Sequence, residues 1–219
     1  MKKGLTELVF ILDKSGSMGG LETATISGFN EMLMKQKEEN GEANVTTVLF
    51  DDEIEVIHDR FPIEIVKPLT REDYSVRGCT ALLDAVGSTI KKVKNIQKHL
   101  PEEMKAEKVI FVITTDGMEN ASQEYTYKMV KKKIEKYQEK GWQFIFMGAN
   151  IDAEKEAVNL GINARRAVTY KNDSQGVKLN YKATAKMVSY LRSSNFRKEE
   201  ADEMFSECVK PIQQHMRNQ

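Results

Sequence analysis

Apolar and polar positions alternate along this chain in two periods, and the period changes repeatedly. Leu8-Val9-Phe10-Ile11-Leu12 is an unbroken apolar run, partly β-branched and aromatic. Such a run predicts a strand buried on both faces. Behind it, Leu21, Thr25, Gly28, Phe29, Met32 and Leu33 recur at helical spacing. Val45 to Phe50 reads as a second strand, and the alternating Ile54 to His58 as a third. Only Asp51-Asp52-Glu53 links these two, so they pair antiparallel, because a parallel crossover needs about a dozen residues. Residues 61–78, with Pro62 and Pro68, have no regular pattern.

The second half repeats the scheme. Leu82, Val86, Thr89, Val93 and Ile96 predict a helix, and Val109 to Ile113 a second fully buried strand. A helix through Tyr127, Val130, Ile134 and Tyr137 stops near Gly141, and Trp142 to Met147 follows as a strand. Ala153, Ala157 and Leu160 mark a short helix closed by Gly161, and Ala167-Val168-Thr169 a small edge strand. Two helices end the chain. The first carries Val177, Tyr181, Thr184, Val188 and Leu191. The second, over 196–216, carries Ala201, Met204, Phe205, Cys208, Val209, Ile212 and Met216, with Pro211 expected to kink it or end its regular part. That stripe either packs on its own domain or offers a dimer surface.

Strands alternating with helices predict an α/β fold: a Rossmann-like, doubly wound, mostly parallel sheet with one antiparallel edge strand and helices on both faces. The expected division is a domain over 5–170 and a C-terminal helical extension over 171–219 packing on it. In such sheets ligands bind beyond the carboxyl ends of the strands, where the strand order switches. The residues just after the buried runs therefore matter most: Asp13, Ser15 and Ser17, then Thr114-Thr115-Asp116-Gly117, then Gly148-Ala149-Asn150.

The loop Asp13-Lys14-Ser15-Gly16-Ser17 offers oxygen at alternate positions. Oxygen-only donors suit hard cations such as Mg²⁺, Mn²⁺ or Ca²⁺. Alone, the string is equally a helix N-cap on a solvated loop. Its place after the first buried strand favours the cation. Asp13-x-Ser15-x-Ser17, Thr80 in Gly78-Cys79-Thr80-Ala81, and Asp116 in Thr114-Thr115-Asp116-Gly117 together resemble the von Willebrand factor A family with its metal-ion-dependent adhesion site. The small chain resembles the stand-alone bacterial or phage type.

The resemblance implies a Mg²⁺, Mn²⁺ or Ca²⁺ site with Ser15, Ser17 and Thr80 as direct ligands. Asp13 and Asp116 would act through water or hydrogen bonds. It also implies a protein partner presenting an Asp or Glu carboxylate to the open position. Cys79 departs from the small residue usual before the Thr. It is expected to pack as a small apolar group, with redox sensitivity as the other reading. Asp84 either orients the Thr80 loop or is an ordinary first-turn acid. Glu119 and Asn120 either line the rim or sit in a solvated loop, and Asp51-Asp52 reads as a turn. His58, His99 and His215 receive no role.

A metal-dependent phosphoryl-transfer enzyme resembling the haloacid dehalogenases is the competing reading. Those enzymes place an acid-base carboxylate two residues past the first Asp, where this chain has Ser15. A domain with an idle metal loop is a third reading. Composition adds only limits. The 219 residues carry 33 Lys+Arg against 33 Asp+Glu, so no basic excess points to nucleic acid or an anionic membrane. The lysine runs at 91–92 and 131–133 read as solvated helix faces. Two cysteines outside any metal-ligand spacing, and no long apolar segment, give the expectation of a reducing, cytoplasmic setting.

Overall fold

The computed structural model describes residues 1–193 and 196–217. Among these residues six strands form one sheet: β1 (Lys2–Asp13), β2 (Ala43–Phe50), β3 (Ile54–Pro62), β4 (Ala106–Thr115), β5 (Gln143–Ala149) and β6 (Ala167–Tyr170). The spatial order is β3-β2-β1-β4-β5-β6. All pairs are parallel except β2 with β3, so the antiparallel strand lies at the edge and the fold is the doubly wound α/β sheet expected. The β1 run begins earlier than the apolar core of its sequence, because the polar Lys2–Glu7 stretch finds partners along β4 and β2.

Among the described residues six α-helices cover the sheet: α1 (Glu22–Glu38), α2 (Leu82–His99), α3 (Tyr127–Gln138), α4 (Ala153–Leu160), α5 (Ser174–Ser193) and α6 (Lys198–Arg217). Alternate residues of the central strands feed two separate cores. Leu8, Phe10 and Leu12 point to the face holding α1, α5 and α6, where Phe29, Tyr181, Val188 and Phe205 meet them. Val9 and Ile11 point to the face holding α2, α3 and α4, with Val86, Ile90, Val130 and Ile134. This is why β1 and β4 read as unbroken apolar runs: each buries both faces.

The stripe on α6 is spent on this chain. Ala201, Phe205, Cys208, Val209 and Ile212 are buried in the α1-side core, and Met216 is left exposed. A buried Arg166–Asp202 ion pair, with Nε to Oδ1 at 2.5 Å, ties α6 to the turn before β6. Pro211 does not end the helix, which runs through it to Arg217. The residue whose carbonyl it would free, Glu207, is exposed like Pro211 itself, so that carbonyl lies on the solvent side of the helix.

The order of strands reverses between β1 and β4. β1 leads leftward to β2, while β4 leads rightward to β5 and β6. A crevice therefore opens above the carboxyl ends of β1 and β4. Asp13 is the last residue of β1, and Asp116 follows the last residue of β4.

Candidate metal centre

The three segments singled out in the sequence meet in that crevice. After Asp13 the chain turns through Lys14 and Ser15 into a single 3₁₀ turn, Gly16–Met18. The tight turn brings Ser15 and Ser17 side by side, with their Oγ atoms 3.2 Å apart. Thr80 arrives from the loop before α2, and its Oγ1 donates to Ser15 Oγ at 3.1 Å. Ser17 Oγ donates to Asp116 Oδ1 at 2.6 Å. Asp13 holds the loop itself: its Oδ1 accepts the Ser15 N–H at 2.7 Å, and its Oδ2 accepts Thr115 Oγ1–H at 2.5 Å. All five residues are thus linked in one hydrogen-bonded chain. Asp13, Ser15, Thr80 and Asp116 are buried, while Ser17 is exposed and gives the cluster its opening to solvent.

Burial shapes the charges. Loss of water pushes the Asp116 carboxyl up to about 6, against the opposing hydrogen bond from Ser17, with the nearby Asp13 charge adding to the rise. Asp13 is likewise raised by burial, partly offset by Ser15 and Thr115. Two neighbouring carboxylates held largely away from water repel each other, and either a proton or a nearby cation relieves that repulsion.

The surroundings fit such a cation. Every converging side-chain atom is an oxygen, from two carboxylates and three hydroxyls. Gly117 faces the same point: a Cβ there would lie 2.8 Å from Thr80 Oγ1 and 3.3 Å from Ser17 Oγ. The missing methyl leaves open the space between those hydroxyls. Among the described residues no group of three or more His, Cys, Asp and Glu is placed to hold a metal, so a site here depends on its hydroxyls. That hard, all-oxygen donor set is of the kind that suits Mg²⁺, Mn²⁺ or Ca²⁺.

Several residues that the sequence pattern did not mark hold this arrangement. Tyr74, from the irregular stretch before α2, donates its hydroxyl to the Asp13 carbonyl. Gly16 N–H bonds to the Gly78 carbonyl at 3.1 Å and Arg77 N–H to the Lys14 carbonyl at 2.9 Å, stapling the two loops together. Buried Lys14 reaches Glu55 at 3.1 Å and Asp51 at 3.8 Å, and Asp51 also pairs with Arg77 at 2.9 Å. Asp51 does sit in the predicted turn, and its carbonyl accepts the Ala81 N–H at 2.9 Å. The only advance signal for this frame was two lone acids in a turn.

The weighed acids resolve differently from one another. Asn120 Oδ1 accepts the Thr80 N–H at 2.9 Å, and the Asn120 and Ala121 N–H groups return to the Thr80 carbonyl, so Thr80 is fixed from the β4 side. Glu119 caps α2 and braces its own loop, accepting from Leu83, Ala121 and Ser122. The segment is engaged rather than a freely solvated loop. Asp84 holds the opposing loop through the N–H groups of Gln123, Glu124 and Tyr125, at distances from 2.7 to 3.2 Å. Cys79 contradicts its expectation: it is exposed, not packed. Thr80 beside it turns inward to Ser15, while Cys79 faces solvent. His58 is buried against Thr47, and His215 pairs with Asp173.

Fold and oxygen cluster together define an α/β domain with a hydroxyl-rich cluster at its topological switch. The sequence model of the von Willebrand factor type A domain matches residues 7–182, and the chain belongs to that family. No functionally curated protein matches it. The chain is similar in fold to proximal thread matrix protein 1 of the mussel byssus, solved with a zinc-occupied MIDAS motif. That likeness has a TM-score of 0.56 at 15% identity, over 84% of this chain and 46% of that one. The present chain therefore spans about half the length of the byssus protein. It is also similar to the vWF domain of the type V pili tip protein Mfa5 from Porphyromonas gingivalis, with a TM-score of 0.58 at 11% identity, over 89% and 98% of the two chains. A third likeness is to manganese-loaded TRAP protein of Plasmodium vivax, with a TM-score of 0.52 at 14% identity, over 82% and 73%.

Proposed function

We propose that this protein is a binding module that holds a divalent cation on Asp13, Ser15, Ser17, Thr80 and Asp116 and uses it to capture a carboxylate of a partner protein. The observation that carries the reading is the convergence of three hydroxyls and two buried carboxylates on one point, beside the space left by Gly117. Ser15, Ser17 and Thr80 are the direct ligands in this reading. Asp13 and Asp116 act from behind, fixing those ligands and countering the charge. The byssus structure with a zinc-occupied MIDAS motif and the manganese-loaded Plasmodium protein support a divalent ion in this reading. Mg²⁺ is the ion proposed here, because hard oxygen donors and its abundance in cells favour it.

A bound cation would supply a positive charge that neutral hydroxyls do not cancel, and so an electrostatic seat for an Asp or Glu side chain. Nothing is turned over in this reading. Ser15 stands where a phosphoryl-transfer enzyme of the haloacid dehalogenase type has its acid-base carboxylate, and a hydroxyl bonded to Thr80 and Ser17 cannot take that role. The partner surface is the rim of this crevice and not a dimer face on α6, whose apolar stripe is buried. In this reading residues 5–170 form the cation-binding domain, with α5 and α6 as the extension packed on it. Among the described residues no helix is long and apolar enough to cross a membrane. The two free cysteines support a reducing, cytoplasmic setting.

The test is capture from native lysate on immobilised wild-type protein and Thr80→Ala, with Mg²⁺ and with chelator. The reading predicts a protein retained only by the wild type with Mg²⁺, and lost when one of its own Asp or Glu residues is changed to Asn or Gln. Equal retention by both forms, with and without the ion, contradicts it.

A further inference from the structure

The carboxylate of Asp116 has two oxygens, and only one is accounted for by Ser17. The other faces a residue far away in sequence. Asn172, in the connection between β6 and α5, places Nδ2 3.4 Å from Asp116 Oδ2. The remaining atom of that carboxamide, Asn172 Oδ1, is buried and has no hydrogen-bond partner. A buried acceptor without a protein donor is costly unless a water or an ion meets it.

The connection that carries Asn172 is tied to its surroundings by several contacts. Asp173 accepts the Gly176 N–H at 2.7 Å and pairs with His215 of α6 at 3.0 Å and with Lys171 at 3.4 Å. The backbone also folds tightly on the first turn of α5: a Cβ on Gly176 would lie 1.9 Å from the Lys171 carbonyl oxygen. α6 thereby latches the segment that abuts the cluster.

Water on a divalent cation is a strong donor and a poor acceptor, because its lone pair is committed to the ion. It needs acceptors nearby, and Mg²⁺ and Mn²⁺ sites of this kind keep several such waters. We propose that Asn172 is a positioning residue of the cation site. Its N–H fixes Asp116, and its carbonyl oxygen receives a hydrogen bond from a cation-bound water. This rests on the cation-binding reading above, and it makes the C-terminal extension part of the site.

The experiment titrates Mn²⁺ into the full-length wild type, Asn172→Ala, Asn172→Leu and Thr80→Ala. Free ion is followed by electron paramagnetic resonance, and bound-water exchange by water-proton relaxation. Both Asn172 variants should bind Mn²⁺ about tenfold more weakly, the size usual for losing a group that orients metal ligands. Their relaxation per bound ion should change, and their cation-free melting temperature should stay with the wild type. Leucine keeps the bulk of the side chain, so a loss shared by both variants belongs to the carboxamide. Wild-type affinity and relaxation in both Asn172 variants, with binding lost in Thr80→Ala, would overturn the role of Asn172 and leave the cation site standing. No binding by the wild type would overturn both.

Discussion

Glu119 gives the sharpest structural prediction, because one carboxylate serves four donors. Its Oε2 accepts the Leu83 N–H at 2.9 Å and the Ser122 hydroxyl at 2.8 Å, and its Oε1 accepts the N–H groups of Ala121 at 3.0 Å and Ser122 at 2.8 Å. α2 has no side-chain cap of its own, so Glu119 supplies from β4's loop what an N-cap residue normally supplies locally. A negative group there also meets the positive end of the helix. Glu119→Ala removes all four bonds. At about 1 kcal/mol net for each, the fold should lose about 3–4 kcal/mol, somewhat less where water replaces the carboxylate. Glu119→Gln keeps the size but turns one oxygen into a donor. It forfeits the pair of bonds on that side and should lose about 1–2 kcal/mol. For a chain of this length these losses correspond to roughly 10 °C and roughly 4 °C in melting temperature. Urea unfolding followed by circular dichroism measures both. A Glu119→Ala protein within about 0.5 kcal/mol of the wild type would refute the capping argument.

Three further outcomes follow from the geometry. Gly117→Ala sets a methyl 2.8 Å from Thr80 Oγ1, so Mn²⁺ affinity should fall by more than about tenfold while the cation-free fold persists; calorimetric titration checks it. The Asp116 carboxyl, held at about 6, binds its proton more tightly folded than unfolded, so its contribution favours the fold at low pH and is lost as pH rises from about 4 through about 6. A cation needs the ionised form, so the melting-temperature gain from Mn²⁺ should widen between about pH 5 and about pH 7, and a gap independent of pH would contradict the assignment. Exposed Cys79 should react with a thiol reagent in the native protein, while Cys208, buried in the core with its thiol pushed up by that burial, should react only in denaturant.

The strands were legible in sequence because β1 and β4 bury both faces, so Val9 and Phe10 are equally apolar though they enter different cores. The five cluster residues were legible because three segments each follow or precede a readable element. What holds them was not. Tyr74 reaches Asp13 across 61 positions, Thr115 reaches Asp13 across 102, and Asn172 reaches Asp116 across 56. No period or spacing links such pairs; only the strand order brings them together. Cys79 was misjudged for a local reason. Burial tendencies of cysteine describe its usual surroundings, whereas its exposure here follows from Thr80 claiming the inward direction.

The central claim is that these oxygens hold a divalent cation, and direct calorimetric titration of the purified protein with Mn²⁺ tests it most plainly. The account predicts one saturable site in the wild type and none in Asp13→Ala, whose loop loses the carboxylate that accepts the Ser15 N–H and the Thr115 hydroxyl. Absence of binding by the wild type at millimolar ion, or undiminished binding by Asp13→Ala, would contradict it.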